Sequence, residues 1–125
     1  MRGRFKISDG GNSGLYFRVA YGPGWPDGYE AQINSTMSDP QKTGSLYDLV
    51  KNATTLVPPD TWFDYDPLRR TSRAACTSRS RSTASPSSTS WTPRRKHASG
   101  RIALQQHNDG SVIQGQGPWI REAVS

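Results

Sequence analysis

A length of 125 residues fits one domain, and a hydrophobic content of 32% allows only a modest core. The single cysteine, Cys76, excludes an intramolecular disulfide. The net charge of +6 is unevenly distributed, because residues 67–108 contain nine Arg or Lys and no acidic residue, whereas the rest of the chain contains seven basic and ten acidic residues. Proteins that bind nucleic acid usually place their basic residues on a folded face, so this distribution argues against a nucleic-acid partner. No apolar run is long enough to span a membrane.

The first third of the chain predicts strands separated by turns. The N-terminus leads directly into a strand-like stretch at residues 5–7 without a signal peptide, so we expect either a cytoplasmic protein or a chain whose start is missing. The turn cluster GGNSG precedes a predicted strand over residues 15–20, and a Pro/Gly loop over residues 21–28 follows it. Residues 29–34, YEAQIN, then predict a strand with one apolar and one polar face.

Short strands with turns between them continue to the end of the chain. TGSLYDLV at residues 43–50 predicts a short strand, and TWFDYD at residues 61–66 predicts the start of another after a Pro-Pro-Asp turn. RIALQQH at residues 101–107 alternates, so that Ala103, Gln105 and His107 share a face, and Asn-Asp-Gly then predicts a tight turn into a return strand. No segment predicts a helix, and the whole pattern favours an antiparallel β-sandwich.

The segment between these halves does not fit such a fold. Residues 71–90 contain eight serines, four threonines and three arginines. A structureless insertion of more than about 20 residues is unusual inside a compact all-β domain. If the segment is taken at face value, it predicts an Arg/Ser-rich nucleic-acid or interaction protein, a hypothesis that absent or salt-insensitive RNA binding would eliminate.

A shift of the reading frame explains the serine-rich segment better. When each new codon takes the last base of one residue's codon and the first two bases of the next residue's codon, a serine encoded by TCN always becomes Phe, Leu, Ile or Val. With GC-rich codons, residues 76–93 become MHITIKVNGVTVVDFVDP, which is two alternating strands around Asn-Gly. Our hypothesis is that residues from about 67 to 94 are translated out of frame. Genomic reads that show an intact frame encoding these serines would disprove it.

The in-frame motifs resemble the 3-keto-disaccharide hydrolase domain family. They cover about two thirds of the chain in order: GGNSGLYFRV, GYEAQI, KTGSLYDL, PPDTWFDYD, KHASGRIALQQHNDGSV and WIRE. Family domains normally begin upstream of the GNSG motif, so Met1 looks like a late start, and GQGP at residues 115–118 departs from the usual strand.

The resemblance implies an all-β fold, a concanavalin A-like jelly-roll sandwich of antiparallel strands, which is incomplete as written. Residues 1–125 would then form a single partial domain in which residues 67–95 are an aberrant, disordered Ser/Arg-rich segment. Loss of a central hairpin exposes strand edges and core, so we expect the literal chain to fold poorly or to aggregate. The resemblance also implies a carbohydrate partner and a family found mostly in exported or cell-envelope proteins. It leaves open whether a divalent cation takes part.

Glu30 and Gln32 are the first candidates for a site. They lie two apart on one strand, so a concave sheet would present both to the hydroxyls of a sugar, although an ordinary solvated face is equally compatible with the alternation. The resemblance favours a site, because this Glu-x-Gln pair matches the family motif.

Four other residues are candidates with an ordinary alternative each. His107 suits proton transfer or turn capping, and Arg18 could hold a substrate oxygen, hold the Glu30 carboxylate or simply be exposed. Asn12 could bind substrate or form a turn, and Tyr47, like Trp25, could stack on a sugar or pack in the core. His97 is expected at the surface.

The activity implied by the resemblance acts on a sugar already oxidised at C3. A base such as His107 or Glu30 would remove the C2 proton, the substituent at C1 would leave, and water would add back. The alternative is a non-catalytic carbohydrate-binding module on the same jelly-roll scaffold, which would keep Glu30, Gln32 and the aromatic residues and dispense with His107.

Overall fold

The computed structural model describes residues 1–67 and 96–119. The predicted aberrant segment lies outside the described residues except for Pro67 and so remains a prediction. The described residues contain no helix with the length and hydrophobicity that a bilayer crossing requires. They form six strands: β1 (Arg2–Ile7), β2 (Asn12–Ala20), β3 (Asp27–Asn34), β4 (Phe63–Tyr65), β5 (Arg101–Leu104) and β6 (Ile113–Trp119).

The strands pair into two antiparallel sheets. The first has the order β4-β1-β6 and the second the order β3-β2-β5, so β1 and β2 are the central strands. The all-β prediction is confirmed, because the described residues form strands and no helix. The jelly-roll arrangement of strands remains a prediction from the family resemblance.

Both sheets contribute to one apolar core. In β1, Phe5 and Ile7 are buried, whereas Arg4 is exposed and Lys6 is half-buried, as the period of two along a strand requires. Side chains of the second sheet join the same cluster, which therefore holds the two sheets face to face as a sandwich. The cluster consists of Phe5, Ile7, Leu15, Ala31, Ile33, Val57 and Phe63.

The strand predicted over residues 43–50 is not a regular strand. Its first part follows the outer edge of β3, with main-chain hydrogen bonds from Thr43 N to Asn34 O, from Gln32 N to Ser45 O and from Tyr47 N to Glu30 O. The pairing then stops because the chain turns back, and Val50 N donates to Leu46 O at 2.8 Å. Asp48 in this turn takes a left-handed φ of 57°, which is incompatible with an extended strand.

Two other predictions about turns need correction. Asn12 to Gly14 of the GGNSG cluster belong to β2, where they pair with β3. The strand after the Asn-Asp-Gly turn does not pair back onto β5, because β6 joins the other sheet, where Ile113 lies opposite Ile7. Burial of these apolar residues beside the core overrides the local hairpin signal.

The core face of β5 is only partly covered. Leu104 lies opposite the buried Leu15, yet Ile102 is 38% and Leu104 is 44% exposed. In the described part of the chain β5 is the last strand of its sheet, so these two apolar side chains lie at a sheet edge. Such an edge favours association with other chains.

We expect the double variant Ile102→Thr, Leu104→Thr to aggregate at a higher temperature than the parent chain. Threonine keeps β propensity while removing apolar surface from a sheet edge. Light scattering during heating measures the change. The control Ile33→Thr places a hydroxyl at a site that is 0% exposed, and we expect it to lower the aggregation temperature, because buried polar substitutions cost about 1–3 kcal/mol. An aggregation temperature that the double variant leaves unchanged would contradict the role of this edge.

Candidate functional site

One face of the second sheet carries mostly polar side chains. Alternation places on it three cross-strand pairs of β2 and β3, which are Tyr16–Glu30, Gly14–Gln32 and Asn12–Asn34. On one side, Gln105 N donates to Gly14 O at 3.0 Å and His107 N to Asn12 O at 3.3 Å, so the chain continues the β5 ladder past Leu104. On the other side, residues 43–47 run along the outer edge of β3, and this edge segment adds Thr43, Ser45 and Tyr47. We call these residues, together with Ala103, the polar face.

Glu30 lies above Gly14 at the centre of the polar face. A Cβ atom at Gly14 would stand 2.1 Å from Glu30 Oε1, so the missing side chain provides the space that the carboxylate occupies. Tyr16 Oη donates to Glu30 Oε2 at 2.7 Å, and Gln105 Nε2 donates to Tyr16 Oη at 3.3 Å. A chain of hydrogen bonds from β5 through β2 to β3 therefore fixes one carboxylate oxygen.

Burial governs the proton affinities of this pair. Desolvation raises the pKa of Glu30, the Tyr16 hydrogen bond and the charge of His107 oppose that rise, and Asp39 and Asp48 add to it. Burial, together with the bond to the Glu30 carboxylate, also raises the pKa of the Tyr16 phenol far above its usual range. Tyr16 thus stays a proton donor at any physiological pH, and Glu30 is a stronger base than an exposed glutamate.

His107 is exposed and acts electrostatically on Glu30. Its imidazole ring lies 5.6 Å from the ring of Trp25, centroid to centroid, at an interplanar angle of 41°. Trp25 is 70% exposed, so its indole forms an open apolar surface next to the polar face. An aromatic surface beside hydrogen-bonding groups is an arrangement that suits a sugar ring.

The deeper amides of the polar face are enclosed. Asn12 is 2% and Gln32 is 1% exposed, so in this conformation neither can touch a substrate directly. Gln32 Nε2 donates to Gln41 O at 3.2 Å. Four buried amide oxygens here lack a hydrogen-bond donor: Asn12 Oδ1, Gln32 Oε1, Asn34 Oδ1 and Gln105 Oε1. The layer beneath Glu30 is therefore rich in unused acceptors.

Tyr47 forms one wall of the site. Its main-chain N–H donates to Glu30 O at 2.9 Å, and its hydroxyl donates to Asp39 Oδ2 at 3.0 Å. That bond to the Asp39 carboxylate raises the pKa of Tyr47. The phenol is thus held by an acid rather than by the apolar core.

Arg18 lies away from this site. It adopts a left-handed φ of 56° where the register of β2 shifts, so the strict alternation that would put it beside Tyr16 is broken. Its guanidinium donates to His97 O at 3.2 Å, whereas the Glu30 carboxylate is bonded to Tyr16. The side chain of His97 is 11% exposed and lies 3.7 Å from Asp27 Oδ1, so its predicted surface position is wrong.

The described residues contain no group of three or more His, Cys, Asp or Glu side chains arranged to hold a metal ion.

Comparison with protein families matches residues 1–114 to the 3-keto-alpha-glucoside-1,2-lyase-like domain. The chain belongs to this family. Searches of curated proteins and of solved structures gave no match. The match includes every residue of the polar face and extends from β1 into the first residues of β6.

The structure of this lyase-like domain brings five of the six candidate residues to one face. Glu30, His107 and Tyr47 line the site, whereas Asn12 and Gln32 lie beneath it. Sequence reasoning missed three contributors: Tyr16, Gln105 and Gly14. The alternation of RIALQQH already puts Gln105 with His107, but the importance of Gly14 depends on its pairing partners, which a single sequence does not show.

We expect Glu30→Gln to raise the melting temperature of the lyase-like domain at pH 7. The native pKa of Glu30 is raised, so its ionised form costs stability at every pH above that pKa. The gain should vanish below about pH 4.3, the ordinary glutamate pKa, where Glu30 is protonated in both states. Thermal unfolding followed by circular dichroism from pH 3 to 8 measures it. Asp64→Asn, which removes an exposed carboxylate paired with Arg4, should show no gain that grows with pH. A gain independent of pH for Glu30→Gln would contradict the assignment.

Proposed function

We propose that this domain cleaves the glycosidic bond of a 3-keto sugar by removing the C2 proton and expelling the substituent at C1. The observation that carries the proposal is a single desolvated carboxylate, Glu30, held by Tyr16 beside His107. The family description, a 3-keto-alpha-glucoside-1,2-lyase-like domain, supports the same chemistry.

Glu30 is the proposed base. The C3 carbonyl acidifies the C2 hydrogen, and a carboxylate with a raised pKa takes that proton more readily than an ordinary glutamate. Tyr16 holds Oε2, so Oε1, which lies over Gly14, is the oxygen that accepts the proton. The electron pair of the C2–H bond moves into the ring as an enolate of the C3 ketone.

His107 is the proposed acid. The enolate re-forms the carbonyl, a C1=C2 double bond develops, and the C1–O bond breaks. The imidazolium of His107 gives its proton to the departing oxygen, so the products are an alcohol and an unsaturated 3-keto sugar. Water then adds across C1=C2, with its hydroxyl on C1 and its proton on C2, to give the free 3-keto sugar. Trp25, which contacts the His107 ring, supplies the surface for the sugar.

The arrangement fits elimination better than direct hydrolysis by paired carboxylates. Ordinary glycosidases place two carboxyl groups on either side of the bond, about 5–10 Å apart. Asp39 acts electrostatically on Glu30, but its carboxylate accepts hydrogen bonds from Gln41 N and Tyr47 Oη. It is thus engaged in holding the wall of the site.

Exposed Trp25 also supports a second candidate, a carbohydrate-binding module without catalysis. Such a module would use the aromatic surface and the polar rim but would not need a proton donor at residue 107. The two candidates differ in the consequence of losing that imidazole.

We expect His107→Ala to lower turnover of a 3-keto glycoside at least about 100-fold, the usual contribution of general acid catalysis. Binding should weaken much less, because Trp25 and Glu30 remain. Turnover is followed by the release of the alcohol. Binding is measured by calorimetry on His107→Ala and on Glu30→Gln, which should also be inactive. Full turnover by His107→Ala would exclude the acid role. Binding of plain glycosides with no turnover of any 3-keto glycoside by the parent chain would favour the binding module.

A further inference from the structure

The charged groups around Glu30 are mostly of one sign. The main-chain bond between Tyr47 N and Glu30 O pairs the edge segment with β3 at the position of Glu30. Asp39 is attached to this wall through the Tyr47 hydroxyl, and Asp48 follows Tyr47 in sequence. Both acids act electrostatically on Glu30 and raise its pKa, as expected for like charges held nearby.

Hydrogen bonds fix the two wall carboxylates in place. Gln41 Nε2 donates to Asp48 Oδ1 at 2.9 Å, and Asp48 N donates to Gln41 Oε1 at 2.9 Å, so the Gln41 amide clamps Asp48 at both ends. Gln41 N in turn donates to Asp39 Oδ1 at 2.7 Å. We call Asp39, Gln41, Tyr47 and Asp48 the acidic wall.

Within the described ranges, positive charge is scarce on the polar face. Among the described residues that form the polar face there is no lysine or arginine, and His107 is the only side chain that can carry a positive charge. Two cations elsewhere are directed at main-chain carbonyls, since Lys42 Nζ donates to Met37 O and Arg18 Nη1 to His97 O. The four enclosed amide oxygens that lack donors add acceptors and no donors.

From this charge pattern we infer that the site selects against anionic glycosides and takes neutral sugars or amino sugars. The inference rests on the proposed function, because it assumes that a sugar enters beside Glu30. A uronate, phosphate or sulfate would face the acidic wall, and the polar face in the described part of the chain has no lysine or arginine to receive it. Hydroxyl and ammonium groups, which are donors, would meet carboxylates that can accept from them.

The test uses three 3-keto glycosides that differ only at C6, which carries a hydroxymethyl, a carboxylate or an aminomethyl group. At low salt we expect the carboxylate to have a kcat/KM at least about tenfold below that of the neutral compound, the size expected for charges several ångströms apart near a surface. The amino compound should equal or exceed the neutral one. About 0.5 M NaCl should reduce the differences, because screening acts on exposed charge.

Two substitutions locate the discrimination. Asp48→Asn is well suited, because asparagine tolerates the left-handed φ of 57° and keeps an oxygen for Gln41. Combined with Asp39→Asn, it should bring the carboxylate compound to within about threefold of the neutral one. The matched control Asp64→Asn lies in the other sheet and should leave the ratio unchanged. Circular dichroism verifies that each variant keeps its strands.

The outcomes separate the two proposals. Equal turnover of the carboxylate and neutral compounds, or a ratio that neither salt nor the double substitution changes, would overturn the charge selectivity and leave the lyase proposal intact. A parent chain that neither binds nor turns over any of the three compounds would overturn both.

Discussion

The register between β2 and β3 is the constraint on which the site depends. It places Tyr16 directly opposite Glu30 and leaves Gly14 beneath the carboxylate. A shift of β2 by one residue would move Tyr16 to the core side and bring Leu15 out, so the apolar core protects the register at the same time as it fixes the site. The register between β2 and β3 thus determines both the packing of the core and the geometry of the candidate site.

The polar face combines two kinds of environment. At its surface, Trp25 and His107 are accessible, whereas the amides of Asn12 and Gln32 are enclosed and have oxygens without donors. Buried acceptors of this kind are costly, and a fold retains them where position matters more than stability. Glu30 lies between these two environments, and its partial burial raises its pKa and so keeps the carboxylate basic.

Much of this arrangement could be predicted from the sequence. Alternation alone placed Glu30 with Gln32, and Gln105 with His107, because the period of two holds in regular strands. It failed at Arg18, where a left-handed residue interrupts the ladder and no local signal marks the shift. It also failed for the strand after residue 110, since the choice between two sheets is decided by core packing, which local turn signals do not encode.

The pairing of β1 with β6 affects how the chain folds during its synthesis. Arg2 lies opposite Trp119, so β1 must wait for a strand far along the chain before this pairing can form. β2 pairs with its neighbour β3 on one side, but its other pairing needs β5, which is synthesised much later. Such non-local pairing slows folding. Until the C-terminal part emerges, the nascent chain therefore presents open strand edges to its neighbours, and we expect molecular chaperones to matter for its yield.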